Sequence, residues 1–410
     1  MEKGEGMISV DEAYRIVLEN VSTLPIQEVN IKGAVGLCLA EDAVSDIDMP
    51  PFDKSSMDGY AVIAEDTLSP SGEPVTLEVI EEVAAGGKLP QKKVGRGQAT
   101  KIMTGAALPQ GADAVIKVED TESIEGNRIR LSKGVSRGEN VSPKGEDFQA
   151  GQVVLKRATA LRPQEIGVLA MIGMERVKVY FTPRVGVIAT GDELVEVGRK
   201  PIGGQIRNSN SYSLAAQVFQ TRAEVECLGT ARDERRSLLS MIKRGLKKDL
   251  LLLTGGVSMG EYDLVVGVLK ELGVNLFFEK VAMKPGKPIV FGKYYKTAVF
   301  ALPGNPVATY VSFELFVRPA LRKMMGFTQL SRTVMKAQLE TPLRSRGERR
   351  EFRPAWLRME NGRFFASAVE WHGSADLLGT TRGNSLLIVP EGMQSFSAGQ
   401  EVEVMLTGEL

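Results

Sequence analysis

The segment Leu250–Asp263, LLLLTGGVSMGEYD, runs from four leucines into Thr254, three glycines within six positions, and then Ser258, Glu261 and Asp263. Reversing a chain takes one glycine at the position that needs positive φ. Extra glycines let backbone N–H groups approach a ligand closely, and the helix expected after this loop adds its positive end. The chemistry such a loop suits is anion binding, phosphate foremost, with the amides of Gly255, Gly256 and Ser258 as donors. A glycine-rich connector without a ligand is the other reading. No Lys-Ser/Thr follows the loop and no GxGxxG follows any strand, so ordinary nucleotide-triphosphate and dinucleotide sites are disfavoured.

Lys284-Pro285-Gly286-Lys287-Pro288 puts two ammonium groups on a stiff turn, able to face one anion or simply to be solvated. Glu193, Asp233 and Asp263 each stand just after a strand or at a helix start. Asp233 there suits a helix cap, and Asp263 a first helical turn. Together, beside phosphate, the three carboxylates suit Mg²⁺, which keeps several waters and takes few protein ligands. His372 is the sole histidine and Cys38 and Cys227 are the only cysteines. Acid–base and metal work therefore falls to carboxylates, Lys, Ser, Thr and backbone groups.

These residues need a scaffold, and from Arg184 the sequence supplies one. Apolar strands such as VGVIA (185–189), LLLL (250–253) and TAVFALP alternate with amphipathic helices such as SYSLAAQVF (211–219) and DLVVGVLKEL. That alternation argues a mostly parallel sheet covered on both faces. Ligands in such folds bind beyond the carboxyl ends of the strands. Those ends carry Thr190–Glu193, Arg232–Glu234, Thr254–Ser258 and Leu302–Pro306. The Arg207–Ser211 run, RNSNS, reads as an Asn/Ser cap.

Before Arg184 the texture is β-rich, with short pieces such as Val75–Val83 and Ala114–Val118 between Gly, Pro and Asp turns, which suggests an inserted domain. Polar outcrops recur there: DMPPFDKSSMDGY (48–60), KIMTG (101–105) and KGED (144–147). Ser9-Val10-Asp11-Glu12 fits a capping box opening an N-terminal helix, and Pro163 and Gly173 bracket another. Beyond Gly326 helical patterns cease, and turn signals at Asn361-Gly362 and Pro390-Glu391-Gly392 suggest a small antiparallel β-domain. The 410 residues exceed one ordinary core. Fifty-one basic and fifty-one acidic residues cancel, which argues against a dominant nucleic-acid or membrane-surface role. No signal peptide or membrane span is visible, and the sparse cysteines suit a reducing cytoplasm.

The ordered strings PPFDKSSMDGYAV, KIMTGA, GADAVIKVED, KGEDF, GVIATGDEL, IRNSNS, LLLTGGVSMGEYD, KPGKP and ALPGNPVA run from about Ile8 to the C-terminus. In them the sequence resembles the MoeA-type molybdopterin molybdenumtransferases, to which the C-terminal domain of gephyrin is related. Lys54 departs from the family, which more often has Asn there. The resemblance implies insertion of molybdate into adenylylated molybdopterin, with Mg²⁺ present and AMP released. It implies a homodimer with shared active sites and a molybdopterin adenylyltransferase as partner. It implies a three-layer α/β domain of molybdopterin-binding type (181–327), an inserted β-rich domain (50–145), a discontinuous helical linker domain (1–49 with 146–180) and a C-terminal β-barrel-like domain (328–410). Asp58, Thr104 and Asp147 in the first half match family functional residues. So do Glu193, Asp233, Asp263, Lys280, Lys284, Pro303 and Pro306 in the α/β part, and Ser374 beyond it. Asp263, Glu193 and Asp233 are the expected metal ligands and Lys287 a phosphate contact; between Arg350 and Arg353 the choice stays open. A molybdopterin adenylyltransferase and a gephyrin-like scaffold are the alternatives.

Overall fold

The computed structural model describes residues 7–69, 73–256 and 262–410, without the side chains of Tyr262 and Asp263. The chain divides into two compact units, one of Met1–Ala40, Ala158–Arg162 and Arg176–Leu410, the other of Glu41–Arg157 and Pro163–Glu175.

In the larger unit six strands form one sheet: β1 (Arg184–Thr190), β2 (Glu224–Ala231), β3 (Leu250–Thr254), β4 (Asn275–Lys280), β5 (Pro288–Tyr294) and β6 (Thr297–Leu302). Their order is β2-β1-β3-β6-β5-β4. The first four in that order are parallel, while β5 runs antiparallel to both its neighbours. Helices α1 (Asn210–Gln220), α2 (Arg235–Gly245), α3 (Tyr262–Glu271) and α4 (Pro306–Ser312) follow β1, β2, β3 and β6.

The four leucines of β3 show why this is a three-layer arrangement. Successive side chains of a strand point to opposite faces. Leu250 and Leu252 join a core with Leu214 and Val218 of α1 and Val307 and Val311 of α4. Leu251 and Leu253 join another with Leu238 and Ile242 of α2 and Val265 and Leu269 of α3. All four leucines are 0% exposed. An unbroken apolar run is what a strand covered on both sides requires.

The N-terminal helix Val10–Asn20 packs Ala13 and Val17 into the first of these cores, and the Ser9 hydroxyl accepts from the Glu12 amide at 3.1 Å. At the other end of the chain five strands close on themselves. Arg350–Glu360 pairs with both Arg363–Ala368 and Ser385–Val389, and Val334–Leu339 and Glu401–Leu406 complete the ring. The Asn361-Gly362 turn has positive φ at both residues, as a tight hairpin demands. Two details differ from the sequence reading. Val334–Leu339 pairs parallel with Arg363–Ala368, and a four-residue helix, Leu377–Thr380, interrupts the β pattern, capped by Asp376.

The smaller unit is built on a six-stranded sheet containing Gly59–Val62, Thr76–Val83, Gln98–Ile102 and Ala114–Lys117, antiparallel except for the pairing of Thr76–Val83 with Gln98–Ile102. It also holds the helix Pro163–Met171, followed by Gly173 at φ 73°.

Because both faces of β3 are covered, Leu252→Ala and Leu253→Ala should each destabilise the chain by about 2–5 kcal/mol. Urea unfolding measures this; a sheet with one open face would tolerate one of the two.

Candidate functional site

A cavity of about 760 Å³ lies at the carboxyl ends of β1, β3 and β6. Thr190 ends β1, Thr254, Gly255 and Gly256 leave β3, and Pro303–Pro306 leave β6; all line it. Glu193 and the Arg207–Asn210 run add a wall, and Lys280, Lys287 and Arg207 supply the cations.

The sequence places these loops tightly. Gly255 and Gly256 have φ of 95° and 62°, backbone that L side chains rarely adopt. A Cβ on Gly255 would lie 2.2 Å from the Thr190 carbonyl oxygen, and one on Gly256 would lie 2.7 Å from the Thr190 hydroxyl. The loop leaving β3 therefore crosses directly over the end of β1, and only glycine can make that crossing. The glycines thus serve the crossing itself and not an anion alone. The Gly255 amide donates to the Leu302 carbonyl at 3.3 Å, so it is engaged by the protein and is not an open phosphate donor.

Asn210 then ties the strand ends together. Its amide Nδ2 donates to the Gly304 carbonyl at 2.7 Å and to Thr254 Oγ1 at 2.9 Å, while the Thr254 hydroxyl donates to the Pro303 carbonyl at 3.1 Å. Within RNSNS the N-cap position is Ser209, whose side chain makes no cap bond, and Asn208 Oδ1 accepts from the Ser211 amide at 3.1 Å.

A second cavity of about 580 Å³ shares Lys287, Pro288, Pro303 and Asn305 with the first. Lys284, Arg349, Glu351, Arg353, His372 and Ser374 are among its other walls. Glu351 is buried, with Lys284 Nζ at 3.1 Å from Oε1 and Arg353 Nε at 2.8 Å from Oε2. Burial pushes the Glu351 carboxyl up, but the hydrogen bonds from Arg353 and Lys284 outweigh it and hold the group below the ordinary glutamate range. The Ser374 hydroxyl accepts from Asn305 Nδ2 at 2.9 Å, which fixes it to the Pro303–Pro306 loop.

Of the residues expected from sequence, Glu193, Gly255, Gly256, Lys280, Lys287, Pro303 and Pro306 meet at the first cavity. Lys284 and Ser374 stand at the second, with Lys287 and Pro303 common to both. Lys284 and Lys287 therefore share the second cavity, where Lys284 also pairs with Glu351, while Lys287 alone of the two reaches the first. Asp233 is not on the first cavity's wall. Its amide and that of Asp192 each donate to the other's carboxylate at 3.3 Å, and the cap of α2 is Glu234, not Asp233. Ser258 and the Asp263 side chain lie outside the described residues. Among the described residues no three His, Cys, Asp or Glu side chains cluster closely enough to enclose a metal ion. Arg353 lines the second cavity, whereas Arg350 forms a bidentate pair with Asp11 at 2.7 and 2.8 Å.

Asp58, Thr104 and Asp147 belong to the smaller unit. Asp58 Oδ1 accepts from both the amide and the hydroxyl of Thr104, each at 2.7 Å. Those two bonds, the backbone one foremost, hold the Asp58 carboxyl below the ordinary aspartate range. The three polar outcrops are laced together: Asp53 Oδ1 accepts from the Lys144 amide at 2.7 Å, the Ser55 amide donates to the Ala106 carbonyl at 3.0 Å, and Asp48 pairs with Lys144 Nζ at 3.1 Å. In the same lacing the Asp147 amide donates to the Met49 carbonyl at 2.9 Å.

Arg349, Glu351, Asn210 and Asn305 escaped the sequence reading. ERREFRPA looks like a solvated charge run, and nothing in its spacing says that Glu351 points inward.

Three family models match the chain in order: the MoeA N-terminal region (domains I and II) over residues 8–173, a probable molybdopterin binding domain over 186–323, and the MoeA C-terminal region (domain IV) over 336–407. The molybdopterin molybdenumtransferase of Bacillus subtilis is 36% identical over 98% of this chain and 94% of its own length, and that of Staphylococcus aureus strain COL 35% identical over 98% and 96%. The crystal structure of the molybdopterin biosynthesis moeA protein from Pyrococcus horikoshii OT3 superposes with a TM-score of 0.84 at 34% identity, covering 98% of this chain and all of that one. The chain therefore belongs to the MoeA family of molybdopterin molybdenumtransferases.

Proposed function

We propose that this enzyme performs the final step of molybdenum cofactor biosynthesis: water adds across the pyrophosphate bond of adenylylated molybdopterin to give AMP and the molybdopterin monophosphate, and the dithiolene takes up molybdate as one oxo group leaves with the two thiol protons as water. The observation that carries this reading is the pair of adjoining cavities with cationic walls, one at the strand ends and one beside it, joined at Lys287. Two anionic reactants that must meet call for two such spaces with a common boundary. The first, at about 760 Å³, has the size of a nucleotide-class ligand site.

In this scheme Lys280 and Lys287 neutralise the pyrophosphate, and the Gly256 amide adds a donor. Leu194, Ile206, Pro303 and Pro306 give the same cavity apolar surface beside these charged groups. Lys284, Arg353 and Ser374 offer the donors that a tetrahedral oxyanion accepts. No thiol or imidazole is needed at either place.

Mg²⁺ belongs to the same reading. It binds through one or two carboxylates plus phosphate oxygens and water. Glu193, exposed on the cavity wall, meets that requirement, and Asp263 at the start of α3 is the second ligand we assign. Asp233, off the wall, is better placed to hold the Asp192 loop. Bound Mg²⁺ would supply Lewis-acid polarisation of the pyrophosphate oxygens. A homodimer with shared sites, supply of substrate by a molybdopterin adenylyltransferase, and a cytoplasmic setting complete the proposal, supported by the family resemblance and, for the setting, by two free cysteines. Among the described residues no helix is long and apolar enough to cross a membrane. The adenylyltransferase alternative loses ground because family models match the N-terminal, central and C-terminal regions alike, and the scaffold alternative because the chain keeps Asp58, Asp263 and the KPGKP lysines, which a scaffold does not need.

Asp263→Ala should abolish AMP release from adenylylated molybdopterin with an unchanged circular dichroism spectrum; an active variant would remove Asp263 from the metal. Lys287→Gln should weaken binding of both the nucleotide and molybdate, by roughly 1.5–3 kcal/mol for each charged hydrogen bond lost, in calorimetric titrations. Lys284→Gln should weaken molybdate alone. Asp58 should titrate below the ordinary aspartate midpoint by carboxyl NMR, and Thr104→Val should move it upward. A depressed folded value means the Asp58–Thr104 contribution is complete above the unfolded midpoint and fades as pH falls through the folded one. An unmoved midpoint in Thr104→Val would contradict the hydroxyl's share, since the foremost bond, from the Thr104 amide, persists in that variant.

A further inference from the structure

We propose that Glu351 is a positioning residue: it holds Lys284 and Arg353 on one wall of the second cavity so that both can bind a single tetrahedral oxyanion. The inference rests on the oxyanion reading of that cavity given above. Glu351 is placed oddly for an anion site. Its side chain is only 3% exposed, in a cavity whose other charged walls, Lys284, Lys287, Arg349 and Arg353, are all cationic. A carboxylate there repels any anionic ligand through a medium of reduced dielectric. Acting by charge alone, it would only weaken binding.

Its geometry supplies a different role. Both carboxylate oxygens are committed, Oε1 to Lys284 Nζ at 3.1 Å and Oε2 to Arg353 Nε at 2.8 Å and Nη2 at 2.6 Å. The two cations are thereby fixed from below while staying partly open, Lys284 at 41% exposure and Arg353 at 19%. An ammonium has three donors and a guanidinium five, so each keeps donors that Glu351 does not use. The backbone reinforces the arrangement. Met283–Lys284 pairs in parallel with Arg350–Glu351, with Lys284 directly opposite Glu351, so the lysine and its anchor are set by one register. Long cationic side chains lose much rotamer freedom when a ligand orders them, and a partner that orders them beforehand removes that cost from binding.

The test is molybdate binding by calorimetry and steady-state AMP release, with wild type, Glu351→Gln and Glu351→Asp. Glu351→Gln keeps the shape and removes the charge; Glu351→Asp keeps the charge and shortens the reach. Positioning predicts that the molybdate dissociation constant and KM rise in both, about tenfold in Glu351→Gln and about threefold in Glu351→Asp, comparable to losing one charge-assisted contact. KM for adenylylated molybdopterin should stay within about twofold, since that ligand relies on Lys280 and Lys287. Tighter molybdate binding in Glu351→Gln, the outcome of charge alone, would overturn the proposal. So would unchanged molybdate constants with a smaller active fraction, the outcome of a merely structural role. Should Glu351→Gln fail to fold, Glu351→Asp decides, because a wild-type molybdate constant there contradicts positioning. A wild-type chain that binds no molybdate would instead refute the oxyanion reading of the cavity itself.

Discussion

Everything at the candidate site follows from one constraint: the central strands are covered on both faces. Once Leu250–Leu253 are wholly buried between two helix layers, no polar side chain can be accommodated along that strand without an unpaired group. Polar function is pushed to the strand ends, where the chain must leave the sheet. There the parallel register sets the next limit. Thr254 of β3 lies beside Ala189 of β1 and Leu302 of β6, so the three exits are crowded together. The exit from β3 has to pass over Thr190, and glycine at 255 and 256 is the only residue type that fits. Asn210 and Thr254 then bind the crowded loops into one rim.

Charge is organised locally within a chain whose totals cancel. Acidic and basic residues are equal in number, yet the two adjoining cavities collect Lys280, Lys284, Lys287, Arg349 and Arg353. Ion pairs exposed on both sides contribute little to stability. Arg15–Glu19 and Lys336–Glu401 are of that kind. The Lys284–Glu351–Arg353 group differs because its carboxylate is buried, so its energy goes into orientation at a site.

The sequence made the α/β portion legible because its signals are local. An apolar run and a helical period at 250–271 identify strand and helix without reference to anything distant, and the same holds for the Asn361-Gly362 hairpin, whereas the glycines between strand and helix read as an anion loop and only the structure brings them over Thr190. The capping of the N-terminal helix by Ser9 was equally readable. What could not be read depends on partners far along the chain. Glu351 becomes a site residue only because strand pairing sets it opposite Lys284, 67 positions away. Arg350 and Arg353 look equivalent in ERREFRPA, but one meets Asp11 and the other the cavity. The parallel pairing within the C-terminal barrel is invisible for the same reason, since hairpin signals report only neighbours. Asp233 was misread as a cap because a residue after a strand suits that role by default; the partner of its amide, Asp192, sits 41 residues earlier.

Where an anionic nucleotide sits decides the role of the strand-end cavity. The most direct measurement is a crystal structure of the protein soaked with AMP or ADP. Phosphate density between Lys280, Lys287 and the Gly256 amide, at the ends of β1, β3 and β6, is the predicted result. Phosphates bound at full occupancy anywhere else on the chain, with this cavity left to solvent, would contradict it.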